Sequence, residues 1–244
     1  MIKAENKTRI VYLTLLIFYL FTNNSFAQTL DLGSWNILGL KYNLDNKWSL
    51  FGEAQLRSLE FYNNFHYYEY KAGVSFKVEK NINLSLAAGS YQTYNEEGNF
   101  MLPKNNNEFR IWPQLILFQS IGKMKIEQRY RAEFRFTSNG YRNRVRYRFG
   151  LSYPLGKERN EYKPFQINAN TEIFFTNKEP YFERNRVSLV LNYKPSKATT
   201  LQIGYLHQFD YKINDETGRD FFLIGYSIEL SRKSAESIEN NLNK

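Results

Sequence analysis

The 244-residue chain has no cysteine, only two histidines and only six prolines. Without thiols there is no disulfide framework, no cysteine-bound metal, and no cysteine to carry a lipid anchor. His66 and His207 alone make a zinc site or a Ser–His–acid arrangement improbable. No glycine-rich phosphate loop of the GxGxxG or GxxxxGK[ST] kind occurs. The expectation is therefore no catalytic residues, no metal and no cofactor, and a protein that is not an enzyme. Like charges never run to five in a row, although the formal net charge is +9. That spacing speaks against a solvated basic tail for nucleic acid. The longest apolar stretch, Ile10–Phe21, has twelve residues, short of the roughly 20 that a membrane-spanning helix needs.

That stretch has another reading. Lys3, Lys7 and Arg9 precede it, and Ser25-Phe26-Ala27 follows as a small-x-small site. The order is that of a secretory signal peptide, residues 1–27, cleaved after Ala27. Removing three positive charges and one negative leaves the mature chain at 9 − 2 = +7. An exported protein has no nucleic acid to meet, so the excess of arginine needs another explanation.

Aromatic residues are abundant: 19 Tyr and 20 Phe. They alternate with charge most clearly in residues 123–153. Lys125, Glu127, Arg129, Arg131, Glu133 and Arg135 fall on one face; Met124, Ile126, Tyr130, Ala132, Phe134 and Phe136 fall on the other. After Thr137–Gly140, Arg142, Arg144, Arg146 and Arg148 oppose Tyr141, Val145, Tyr147, Phe149, Leu151 and Tyr153. Period two means strand. Pairing Phe136 with Tyr141 sets Tyr130 against Tyr147, Arg131 against Arg146 and Glu133 against Arg144. A slip of one residue would scramble both faces.

Similar alternation recurs along the chain. Strands are expected within 28–43, 48–57, 65–78, 82–94, 108–119, 164–175, 181–193, 200–211 and 219–230, besides the two of the hairpin. Pro113 lies inside one of them and cannot donate to a ladder, so a bulge or distortion is expected there. The chain shows no linker, second domain or low-complexity segment. Residues 28–230 read as one barrel and 231–244 as a polar tail.

Eleven strands in one exported sheet must deal with two edges, and closure removes them. A soluble barrel would have to pack dozens of rings at its centre and leave the arginines in solvent. A transmembrane barrel puts apolar residues outward, aromatic girdles at both interfaces and polar residues inward. Tyr141, Tyr153, Phe165 and Phe175 sit near strand ends, where girdles belong. The fold class expected is thus all-β: an antiparallel up-and-down transmembrane β-barrel of ten to twelve strands in the outer membrane. Bacterial single-chain barrels have even strand numbers. Either 28–43 is not a barrel strand, giving ten, or a twelfth is hidden. Short turns at 43–47, 79–81, 120–123 and 194–199 would face the periplasm. Loops at 95–107 and 212–218 would face outside.

The sharpest chemical feature is the inward cluster Glu127, Arg129, Arg131, Glu133, Arg135, Arg142, Arg144, Arg146 and Arg148. With Lys125 it carries eight positive and two negative charges, net +6. Like charges face each other across the ladder, which destabilises it unless carboxylates intervene. Glu53, Glu69, Glu108, Glu172, Glu183 and Glu229 are the candidates. If they do not suffice, the lumen favours small anionic solutes. Three roles follow: a narrow pore with an arginine-rich lumen, a structural or binding barrel with a closed lumen, and, least favoured, a lipid-modifying enzyme. His66 and His207 both fall on apolar, lipid-facing positions. Expected partners are outer-membrane lipids and the barrel-assembly machinery.

The chain also resembles a family of bacterial outer-membrane proteins, domain of unknown function 2490. Trp35, KWSL…EAQLR at Lys47–Arg57, EQRYRAEFRF at Glu127–Phe136 and RVRYRFGLSYPLG at Arg144–Gly156 carry the resemblance. It implies a barrel and supplies no activity, ligand or site. The last strand, with Gly225, Ile228 and Leu230, is similar to a barrel-assembly signal, but it ends in leucine rather than an aromatic.

Overall fold

The computed structural model describes residues 32–158, 162–211 and 217–232. The stretch expected to be a signal peptide, residues 233–244 of the expected tail and parts of two connections lie outside the described residues. Eleven strands follow one another: β1 (Leu32–Asn43), β2 (Trp48–Glu60), β3 (Asn63–Glu79), β4 (Ile82–Tyr94), β5 (Lys104–Ile121), β6 (Met124–Thr137), β7 (Gly140–Leu155), β8 (Phe165–Thr176), β9 (Phe182–Tyr193), β10 (Thr199–Asp210) and β11 (Thr217–Ser231). Each pairs antiparallel with its sequence neighbours, and the sheet closes where β1 meets β11.

The closing pair corrects the parity argument. β1 and β11 run parallel, in register from Leu32↔Asp220 to Asn43↔Ser231. Eleven strands fall within the expected ten to twelve, but the count is odd. An even number is required only when every pair, the closing one included, is antiparallel. With an odd count the first and last strands point the same way, so closure must be parallel. Leu32 and Ser231 consequently lie at opposite ends of the barrel.

The hairpin register matches the alternation: Phe136↔Tyr141, Glu133↔Arg144, Arg131↔Arg146 and Tyr130↔Tyr147. At Pro113 there is no bulge. Pro113 keeps its place opposite Leu86 on β4, while pairing with β6 is interrupted between Ile111↔Phe134 and Gln114↔Arg131 without a slip. The missing N–H of proline opens a gap in one ladder and leaves the register alone.

Connections 44–47, 80–81, 122–123, 156–164 and 194–198 share one end, the turn end. Those at 61–62, 95–103, 138–139, 177–181 and 211–216 share the other, the loop end. The division by length is only partial, because 138–139 is a two-residue turn at the loop end. There Thr137 Oγ1 donates to the Gly140 carbonyl at 2.7 Å, and Gly140 takes φ +98°, a conformation cheap only for glycine. At the turn end the Asp45 carboxylate accepts N–H bonds from Lys47 (2.7 Å) and Trp48 (2.6 Å). Those two donors hold its pKa below the ordinary aspartate value.

The outer wall is apolar. Leu38, Leu40, Leu50, Leu84, Leu86, Val145, Val187, Leu189, Ile203 and Ile224 are exposed on it. Rings pair across strands nearer the ends: Trp48 with Phe76 (4.6 Å) and Phe165 with Tyr193 (5.0 Å) toward the turns, Phe136 with Tyr141 (5.3 Å) and Phe175 with Phe182 (5.8 Å) toward the loops.

Candidate functional site, the lumen

Alternation sends the charged face of β6 and β7 inward, where carboxylates from neighbouring strands meet it. Glu133, 1 % exposed, receives Arg144 at 2.6 Å and Arg146 at 2.7 Å, with Arg131 at 3.5 Å and Arg110 at 3.9 Å. Glu108 holds Arg110 (2.7 Å) and Arg135 (2.5 Å). Glu183 on β9 reaches Arg135 (3.1 Å) and Arg144 (2.7 Å). Glu172 on β8 takes Arg129 (2.6 Å) and Arg146 (2.9 Å), and Glu127 pairs with Arg148. The like-charge oppositions Arg129↔Arg148 and Arg131↔Arg146 are thus relieved by Glu172 on β8 and by Glu127 and Glu133.

Five of the six candidate carboxylates, Glu53, Glu69, Glu108, Glu172 and Glu183, join this lattice or its extension to Arg57 and Lys71. Glu53 pairs with Lys71 at 2.5 Å. Glu229 does not contribute: it binds Lys41 at 2.8 Å, where both are half exposed at the turn-end rim. Arg142 is a correction to the proposed cluster. It lies opposite Arg135, but two residues from the loop-end turn it is exposed to solvent. Among the described residues it makes no ion pair. The other eight residues of the cluster do meet in the lumen.

Aromatic rings also point inward, against the expectation of a wet, purely polar interior. A stack crosses the lumen from β8 to β3. The guanidinium of Arg186 lies 4.8 Å from the Phe174 ring and 4.8 Å from Trp35; that of Arg57 lies 3.4 Å from Trp35 and 4.1 Å from Tyr67. Arg110 covers Tyr91 at 3.6 Å, and Arg131 stands 5.0 Å from Trp112. Cations between rings gain most where water is excluded, and Phe174 is 0 % exposed. Trp35, Val190, Leu206, Phe221 and Leu223 form one buried cluster; Ala87, Tyr91 and Trp112 form another. Ion pairs, rings and aliphatic side chains together fill the loop-end half of the lumen.

The turn-end half is hollow. A cavity of about 1350 Å³ runs from the plug to the turn-end rim. Its mouth carries Lys41, Asp45, Lys47, Lys77 and Glu229; its walls carry Ser75, Ser85, Gln114, Gln166, Asn168, Asn170, Ser188 and Gln202. Arg129, Arg131, Arg146, Arg186 and Glu172 reach it from the plug, beside Trp35 and Trp112. Among the inward charges, those at the two rims set aside, eleven cations (Arg57, Lys71, Arg110, Arg129, Arg131, Arg135, Arg144, Arg146, Arg148, Arg184, Arg186) face eight carboxylates (Glu53, Glu69, Glu108, Glu127, Glu133, Glu172, Glu183, Asp210). Three positive charges are left over.

The histidines divide. His207 stays on the outer wall as expected, with Nδ1 2.7 Å from Asp220, which also binds the Tyr205 hydroxyl. His66 does not face lipid. The register shifts between Arg57 and Ser58, which pair with Tyr67 and Phe65. His66 is the extra residue of that bulge, and it is buried against Tyr67. Bulges escape a reading by alternation, because one inserted residue reverses the faces.

A family model, described as a protein of unknown function (DUF2490), matches residues 32–219. The chain belongs to this family. The matched region runs from the start of β1 into β11, so it takes in nearly the whole barrel and every ion pair of the plug, and stops short of Phe221 and Leu223. No curated protein matches the chain. No solved structure matches it either.

Proposed function

We propose that this family member is an outer-membrane barrel with a closed lumen, a structural or binding barrel rather than an open pore. One observation carries the reading: Glu133, Phe174, Trp112 and Glu108, in the packed half of the lumen, are each at most 2 % exposed. Ions crossing the barrel would have to break a lattice in which each partner leaves a buried charge behind. The continuous outer belt of Leu, Val and Ile between paired rings supports lipid as the surrounding medium. The signal peptide read at residues 1–27 supports export to the outer membrane. β11 closes the barrel against β1, the place expected for a strand handled by assembly machinery. An enzymatic role gains little, since His66 is buried in a bulge and His207 is held by Asp220 on the outer wall.

Planar-bilayer recording of the purified mature chain tests the reading. No conductance steps are expected from the wild-type protein. A steady open-channel current would overturn it and favour the pore, in which case reversal potentials of Arg146→Glu/Arg148→Glu would report anion preference.

A further inference from the structure

The plug is over-supplied with positive charge, and the surplus can be located. Among the described residues Arg186 makes no ion pair: Glu172 stands opposite it across the ladder but is held by Arg129 and Arg146. Its Nε donates to the Gln208 side chain at 2.9 Å, its plane is held between Phe174 and Trp35, and it lines the hollow half of the lumen. Its terminal nitrogens have no hydrogen-bond partner in the protein among the described residues. The lattice therefore fixes a guanidinium in one orientation and leaves its donors free. Arg131 is nearly as short of charge, since it is bound mainly by Gln114 at 2.6 Å and meets Glu133 only at 3.5 Å.

A second observation points the same way. The indole N–H of Trp112 is buried and has no hydrogen-bond partner among the described residues, and Trp112 lines the same cavity. Above these groups the walls are neutral hydroxyls and amides, Asn168, Asn170, Ser188 and Gln202 among them. Fixed guanidinium donors recognise oxyanions; rows of amides and hydroxyls match a body rich in hydroxyl groups. A volume of about 1350 Å³ exceeds the usual range for small-ligand sites, roughly 300–1000 Å³, so a sugar ring fits with water around it.

We infer that the turn-end cavity is a binding site for an anionic sugar, its carboxylate or phosphate anchored on Arg186 and its hydroxyls on the amide walls. This rests on the closed-lumen reading, in which the cavity is blind and its occupant enters and leaves by the turn end.

The test uses the full mature chain in detergent. Trp35 and Trp112 line the cavity, so intrinsic fluorescence reports occupancy. Glucuronate, glucose 6-phosphate, inorganic phosphate and glucose are titrated separately. Saturable changes are expected with the first two, the stronger one naming the anion. Phosphate should bind at least tenfold more weakly, and glucose should give no saturable change. Arg186→Gln should weaken the better sugar at least tenfold. Should that variant not fold, Ser188→Glu provides the second arm: it places a carboxylate two residues along the same face and should abolish binding with Arg186 intact. Unchanged affinity in the folded variant, or no saturable response to either charged sugar, overturns the inference. Saturable binding together with open-channel conductance keeps the site and overturns the closed lumen. Absence of both keeps the closed lumen and overturns the site.

Discussion

The two halves of the lumen are built from the same alternating strands and end in opposite states. Toward the loops, inward positions carry Arg, Glu and aromatic rings whose reach spans the barrel, so side chains of non-adjacent strands meet, as Arg135 and Arg144 meet Glu183. Toward the turns, most inward wall positions carry Ser, Asn and Gln, too short to meet across the gap, and the longer Lys41, Lys47, Lys77 and Glu229 stand at the rim. Gly150 on that side leaves room where a Cβ would stand 2.6 Å from Asn170. Side-chain length thus decides which half is dry. Burial of the charges follows from that, and it is tolerable because most cations find a carboxylate or a ring.

The difference can be broken from the packed side first. Glu133→Ala removes the carboxylate shared by Arg144 and Arg146 and strands both. The expected loss is about 3–5 kcal/mol, the scale for breaking a buried pair, read by urea unfolding in detergent. Phe174→Ala empties the centre of the stack and should cost about 3 kcal/mol. It should also loosen the plug enough for bilayer current to appear. A matched change in the hollow half, Ser188→Ala, should stay within about 0.5 kcal/mol. A cost there as large as that of Phe174→Ala would erase the distinction between the halves.

The smallest effect expected lies outside the lumen, at Asp45. Its pKa is depressed by the Lys47 and Trp48 N–H groups, so its ionised form adds stability above the unfolded-state pKa. That contribution is lost as pH falls through the lower folded-state value. The melting temperature of Asp45→Ala should fall slightly below wild type at pH 7, and the gap should close below about pH 4. A gap that widens on acidification would contradict the Asx-turn account.

Much of this was legible before any coordinates. Strand positions, the face carrying Arg129 to Arg148, and the register of β6 on β7 follow from period-two alternation, because reversing a face would turn the charges away from the carboxylates that pair with them. Closure across the chain termini was not legible. Nothing local in residues 28–43 or 219–230 says whether they pair, or in which direction. The plug was legible only in part. Arg184 and Arg186 sit on the polar face of their strand, but that Arg186 lacks a carboxylate depends on β8, β1 and β10 at once. His66 was misplaced because a bulge is invisible to alternation. Arg142 was placed in the lattice because a face assignment carries no information on depth along the barrel.

The natural absence of cysteine makes the central claim directly measurable. Single cysteines are introduced at Ser75 and Ser188 in the hollow half and at Ala87 in the plug, and the proteins are inserted in liposomes in one orientation. A charged, membrane-impermeant thiol reagent is then applied to either side. The account predicts fast labelling at 75 and 188 from the turn side only, and none at 87 from either side. Labelling of Ser75→Cys or Ser188→Cys from the loop side would contradict it, because the reagent could arrive only through an open lumen.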